Sequence, residues 1–183
     1  EDKFKDIILP ILKEENVPPE IFYVAMVESG LKTDAKSYAA AVGPWQFIAS
    51  TAKVYGLKKT YYVDERRDFE KSTRAACKYL KKLNEEFKDW YLAFAAYNCG
   101  ETRLRRHINY FNTNDFWELT NLPRETQSYI PSILAIIFIS KNPEKYGFTV
   151  NPEDKFDWEI KTMTKSVSIE DIARCSKIDK KIL

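Results

Sequence analysis

Apolar side chains recur along this chain at helical spacing, and long alternating stretches of the strand kind are rare. With only 5 glycines in 183 residues, the pattern predicts an all-α body of several short helices. The first runs from about Lys3 to Glu15, with Pro10 expected to bend it. Pro18 and Pro19 open a second helix at its favoured first turn, and Gly30 ends it. An irregular stretch through Lys36, Ser37 and Ala41 follows, and Pro44 is expected to start a third helix ending near Gly56. Asp68 reads as the N-cap of a long helix to Phe87, and Asp89 as the cap of the next, Trp90 to Asn98, ended by Gly100. A basic helix through Arg103, Arg105 and Arg106 comes next, then one from Arg124 to Lys141 with Pro131 early in it. Near Pro143 the composition shifts. Apolar residues at positions 156, 158 and 160 read as a strand from Phe156 to Met163, and Ser168 caps a short helix, Ile169 to Ala173.

Two of these helices are apolar nearly all round, which marks them as buried rather than amphipathic. They end alike. One delivers Glu28-Ser29-Gly30 at its C-terminal tip, the other Tyr97-Asn98-Cys99-Gly100. Core packing gives no reason for polar side chains there. Glu28 follows seven uncharged, mostly apolar positions, Ile21 to Val27. Burial disfavours an ionised carboxyl, and the negative end of the helix dipole pushes the same way. Both effects favour a protonated glutamic acid near neutral pH, the state a general acid on a glycosidic oxygen requires. Read locally, Glu28 is equally a helix-end glutamate turned to water.

Composition narrows the field. Charge is balanced, with 29 basic and 27 acidic residues and a net charge of +2. That leaves no basic stripe of the kind nucleic acid selects. One histidine, His107, and three cysteines without a CxxC pair argue against a zinc site. No apolar stretch is long enough to span a bilayer, and the first residues lack a signal-peptide pattern. Aromatic residues make up 14% of the chain. They serve core packing, and some suit a groove for a stiff, amphipathic ligand such as a sugar chain.

Four ordered motifs then carry a resemblance. They are Glu28-Ser29; Gly43-Pro44-Trp45-Gln46, continuing through Phe47-Ile48 and Ser50-Thr51-Ala52; Ala95-Ala96-Tyr97-Asn98 with Gly100; and Arg124-Glu125-Thr126 followed by Tyr129-Ile130-Pro131. Over roughly residues 5 to 148 the sequence resembles the lytic murein transglycosylases with a goose-type-lysozyme-like catalytic domain. It is most similar to the membrane-bound D-type subgroup, which Arg66-Arg67-Asp68 with Ser72-Thr73 also resembles. Pro44 and Cys99 depart from more usual residues of the family, which bears on groove shape and not on the acid.

The resemblance implies a lysozyme-like multi-helix domain at 1–148. Residues 149–183 form a small strand-helix tail, a C-terminal extension or the start of a wall-binding module. It implies non-hydrolytic cleavage of the bond between N-acetylmuramic acid and N-acetylglucosamine in peptidoglycan, leaving 1,6-anhydro ends. Glu28 is the implied catalytic residue, as acid and then base. Ser37, Gln46, Tyr97, Asn98, Tyr129 and Glu125 are implied in substrate binding or in shaping the cleft. Ordinary glycosidases use two carboxylates, and no second one stands out in the motifs around Glu28.

Bland alternatives stand beside these roles. Ser29 and Asn98 suit helix caps, and Gln46 suits a reach back to free amides in the first turn of its helix. Tyr97 suits the core, and Trp45 suits either a groove platform or a packing anchor. Arg103, Arg105 and Arg106 suit a solvated face or a contact with anionic wall polymer. A peptidoglycan-binding scaffold with little turnover, a hydrolytic lysozyme and a helical protein-interaction domain are the competing functions. Neither a metal nor an organic cofactor is implied. The expected partner is the peptidoglycan glycan strand rather than nucleic acid, the expected state a monomer, with any membrane anchoring outside these residues. The expected location is the periplasm or outer membrane.

Overall fold

The computed structural model describes residues 2–151 and 163–180. It is helical, without a β-sheet among the described residues, as the apolar spacing requires. Helix α1 spans Asp2–Glu14 and continues through Pro10. A short 3-10 turn, Pro19–Ile21, leads into α2, Phe22–Ser29. Then come α3, Ala49–Val54; α4, Phe69–Phe87; α5, Trp90–Cys99; α6, Glu101–Phe111; and α7, Arg124–Lys141. Helix α8, Ile169–Ser176, follows the segment outside the described residues. The strand expected from Phe156 to Met163 lies almost wholly in that segment.

Caps and faces account for the arrangement. Asp68 accepts the Lys71 amide at 2.8 Å and Asp89 accepts the Leu92 amide at 2.9 Å, so α4 and α5 start where free amide donors meet a carboxylate. Helix α4 buries Ala75, Ala76, Leu80 and Leu83 and leaves its charged face in water. Helix α5 has no polar face to expose before its tip, and it packs against α4, α6 and α7. Helix α2, also apolar, packs against α1 and α7. Ile8, Leu12, Phe22, Val24, Leu92, Ala96, Ile130 and Ile133 join in one core beneath the two helix tips.

One expected element takes another form. The helix predicted from Pro44 begins only at Ala49. Residues 42–47 instead make a tight turn, with Val42 bridged to Phe47 and Lys36 to Val42. Gly43 has φ +84° and Gln46 φ +47°, neither of them helical. The carbonyls that would start a helix are taken by distant donors. Ser29 Oγ donates to Pro44 O at 2.8 Å, and the Tyr97 hydroxyl donates to Trp45 O at 2.7 Å. Arg66, 4% exposed, donates from Nη1 to Ala40 O at 3.1 Å and to Phe47 O at 3.0 Å. Its Nε and Nη2 donate to Asp64 at 2.8 and 2.6 Å. A buried guanidinium thus pins both ends of the turn and is itself neutralised in place.

Only glycine fits at position 43. A Cβ there would lie 1.9 Å from Arg66 O. Gly43→Ala is therefore expected to lose about 3 kcal/mol or more, from backbone strain plus overlap. Gly56, at φ +85° with nothing near its Cβ position, provides the control: Gly56→Ala carries the strain alone. Urea unfolding of both variants checks this. Equal losses would mean that the approach to Arg66 imposes no constraint.

Candidate active site

The tips of α2 and α5 meet the first turns of α7. On α7, Thr126 and Tyr129 are three residues apart and so share a face. Thr126 Oγ1 donates to Asn98 Oδ1 at 2.7 Å. The Tyr129 hydroxyl donates to Glu28 Oε1 in a short hydrogen bond. One helix face therefore ties together the two tips that the sequence singled out. Asn98 Nδ2 also reaches Glu125 Oε1 at 3.4 Å.

Glu28 is partly buried, and its carboxyl pKa is pushed up from 4.5 to about 7. Burial is the largest cause. The Tyr129 hydrogen bond works against it by favouring the ionised form, and the charge of Glu125 adds to the rise. The sequence reading named burial and the helix dipole. The charge of Glu125, an exposed glutamate at the start of α7, adds to the effect of burial. Burial also pushes the Tyr97 and Tyr129 hydroxyls well above their ordinary range, and the Glu28 charge pushes the same way. Both phenols stay protonated and act as donors.

The remaining expected residues sit around the turn. Gln46 is not in a helical first turn reaching for amides; its Nε2 donates to Gly43 O at 2.8 Å and Ala35 O at 3.4 Å. Ser37 Oγ accepts the Ala41 amide at 3.1 Å. Trp45 resolves as a packing anchor. It is 0% exposed, and its indole N–H donates to Thr73 Oγ1 at 2.9 Å. The Tyr97 ring packs against Phe47 and Tyr79. Ser29 is more than a cap, since it holds Pro44 O as well as Ala25 O. His107 bonds Arg103 O and Asn121 O, away from these groups. The three cysteines are unpaired, and burial raises the Cys77 thiol to about 12. Among the described residues no cluster of His, Cys, Asp and Glu could hold a metal ion. Arg66 and Thr126 are the supporting residues that site prediction passed over, although both stood within recognised motifs. A polar residue heading toward a buried position was the available signal.

The family described as Transglycosylase SLT domain matches residues 7–120, more than half of the chain. The chain belongs to this family. The SLT domain here is 42% identical over 149 residues to membrane-bound lytic murein transglycosylase D of Escherichia coli (strain K12), covering 79% of this chain and 33% of that protein. It is 34% identical over 116 residues to peptidoglycan transglycosylase gp16 of Escherichia phage T7, covering 62% of this chain and 9% of that protein. A solved structure of an inactive mutant of the lytic transglycosylase Slt from Pseudomonas aeruginosa shares the fold, with a TM-score of 0.61 and 23% identity. That likeness covers 75% of this chain and 24% of the other. The chain thus spans about a third or less of the length of these relatives.

A stability test follows for the SLT domain. Between pH 4.5 and about 7 the folded state keeps a proton on Glu28 that the unfolded chain has released. Stability therefore falls as pH rises through that window. The carboxyl is partly exposed, so the loss is on the order of 2 kcal/mol. Glu28→Gln cannot ionise and escapes it. At pH 8 the variant is expected to be the more stable by that amount, the difference shrinking toward pH 4.5. Denaturant titrations across this range check it, and a gap independent of pH would contradict it.

Proposed function

We propose that this domain cleaves the glycan strands of peptidoglycan as a lytic transglycosylase. The carrying observation is Glu28: a partly buried carboxyl at a helix tip, bonded to Tyr129, with its pKa near 7. Such a group is protonated and ionised in comparable amounts at neutral pH, so it serves as acid and then as base. Membership of the SLT family and the printed names of its relatives support the substrate class.

In this reading Glu28 gives its proton to the oxygen between N-acetylmuramic acid and N-acetylglucosamine. The bond from that oxygen to the muramic anomeric carbon breaks. The neighbouring acetamido group stabilises the positive charge, taking the part of a second carboxylate. Glu28, now ionised, accepts the proton of the muramic 6-hydroxyl, whose oxygen bonds to the anomeric carbon. The ring closes as a 1,6-anhydro sugar and Glu28 ends protonated. Water is not consumed.

Tyr129 holds one carboxyl oxygen, which leaves the proton to ride on the other. Glu125 helps keep the acid protonated and lies at the cleft edge with Asn98. Ser37 orients the acetamido group, while Gln46 and Tyr97 fix the turn that forms the cleft wall. Residues 1–148 are the catalytic domain. Residues 149–183 are a C-terminal extension or linker that includes the start of a wall-binding module, a role supported by the exposure of Val167, Ile169 and Ile178 around α8. The site of action is the cell envelope. Among the described residues no helix is long and apolar enough to cross a membrane.

Digestion of purified peptidoglycan with the chain and with Glu28→Gln, followed by mass spectrometry, tests the reaction. Released muropeptides one water lighter than hydrolysis products are expected from the parent and none from the variant. Reducing ends would make the enzyme a lysozyme. No soluble product would leave a wall-binding scaffold.

A further inference from the structure

A cavity of about 730 Å³ is lined by residues that do not include Glu28. One wall is the loop bearing Ser37, contributed by Lys36 and its neighbours to Val42; another is the hairpin Lys59–Asp64, with Arg66 and Arg67 beneath. Arg66 donates to carbonyls of both Ala40 and Phe47, so the cavity and the turn share this residue as a partition.

Its charges are unbalanced. Asp64 is fully engaged by Arg66, and that bond holds its carboxyl below the ordinary range. Among the described residues the Arg67 side chain bonds only the Thr33 carbonyl, at 3.1 Å. Lys36, Lys59 and Arg67 face the cavity and none of them forms an ion pair among the described residues, although the Lys59 charge adds to the lowering of Asp64, so three cations remain against a carboxylate already held by Arg66. Over them stand Tyr61 and Tyr62, 95% and 90% exposed. Their rings meet edge to face at 5.0 Å. The hairpin tip that carries them is closed by its own hydrogen bonds: Thr60 N donates to Val63 O at 2.7 Å, and Thr60 Oγ1 accepts the amides of Tyr62 and Val63 at 3.2 and 3.0 Å. Folding gains nothing from two solvated aromatic rings held over an unpaired basic pocket, and such exposed patches mark binding surfaces.

We propose that this cavity binds the carboxylate-bearing peptide arm of the glycan strand. The inference rests on the reading that the substrate is peptidoglycan. N-acetylated sugars carry no charge for three cations to answer, whereas the peptide on the muramic lactyl group carries several carboxylates. Lys36, Lys59 and Arg67 receive those carboxylates, and the tyrosine rings cover the aliphatic parts between them. A concave pocket of this size suits a short peptide better than a flat lipid surface. The domain therefore recognises strands by their arms at a place separate from where it cuts them.

The test compares the parent chain with a Lys59→Gln, Tyr62→Ala double variant, both changes lying on the exposed hairpin. Two substrates are used: peptide-bearing strands, and the same strands stripped by an amidase with the lactyl carboxylates it frees then blocked as methylamides. The variant is expected to raise KM about threefold or more on peptide-bearing strands, the scale of a lost exposed charge contact, with kcat kept and stripped strands unaffected. Equal changes on both substrates, or none, would overturn the proposal. Binding of muramoyl tetrapeptide, a monosaccharide that cannot be cut, is titrated alongside. Binding by the parent that weakens about threefold or more in the variant supports the site even if neither strand is cleaved, an outcome that would sink the cleavage reading alone. No binding of muramoyl tetrapeptide, or binding instead to phosphatidylglycerol vesicles that the variant loses, would overturn the site.

Discussion

A carboxyl group held out of water at the end of an apolar helix is costly, and the rest of this site is arranged around that cost. Glu28 can sit there because Tyr129 donates to it and because it can keep its proton. A hydrogen bond to an ionised group contributes about 1.5–3 kcal/mol, not enough here to return the group to its ordinary pKa. The result is an acid balanced between its two states near neutrality. The same helix that supplies Tyr129 supplies Thr126 to Asn98 and the charge of Glu125, so α7 positions the second tip and tunes the first at once.

The turn from Gly43 to Gln46 depends on the same economy of buried polar groups. Two of its carbonyls are not free to make helix: Pro44 O and Trp45 O each take a donor from another part of the chain, while Gly43 O is held by Gln46 within the turn. Ser29 and Tyr97 come from the two tips themselves, so the turn is hydrogen-bonded to both helix ends. Arg66 and Asp64 close the far side. A side chain of full positive charge is nearly inaccessible to solvent there, and three partners of two kinds (one carboxylate, two carbonyls) make that possible. The shape of this turn is therefore set by backbone carbonyl partners as much as by side-chain packing.

What the sequence made legible was local. The helices α4 and α5 followed from Asp68 and Asp89 and from the face or absence of a polar face behind them. The importance of the two tips followed from polar residues at the end of apolar runs. Non-local constraints were hidden. Pro44 is a good first residue for a helix, and nothing nearby in sequence says that Gly43 must clear Arg66 or that Ser29 will claim Pro44 O. Trp45 was open between two uses until Thr73, buried on α4, took its indole N–H. The rise in the Glu28 pKa could be anticipated from burial, but Glu125, its other cause, lies 97 residues further on. The role assigned to Glu28 and its companions drew on family resemblance as well as on physics, and the geometry supports that role by bringing four separated motifs to one place.

The most direct measurement is the titration of Glu28 itself, by carbon NMR of the side-chain carboxyl in protein labelled at glutamate. Its midpoint is expected near pH 7. Tyr129→Phe removes the bond that lowers it and should move the midpoint up; Glu125→Gln removes a charge that raises it and should move the midpoint down. A midpoint at the ordinary 4.5, unmoved by either substitution, would mean that the carboxyl is solvated and that Glu28 is not the poised acid on which this site is built.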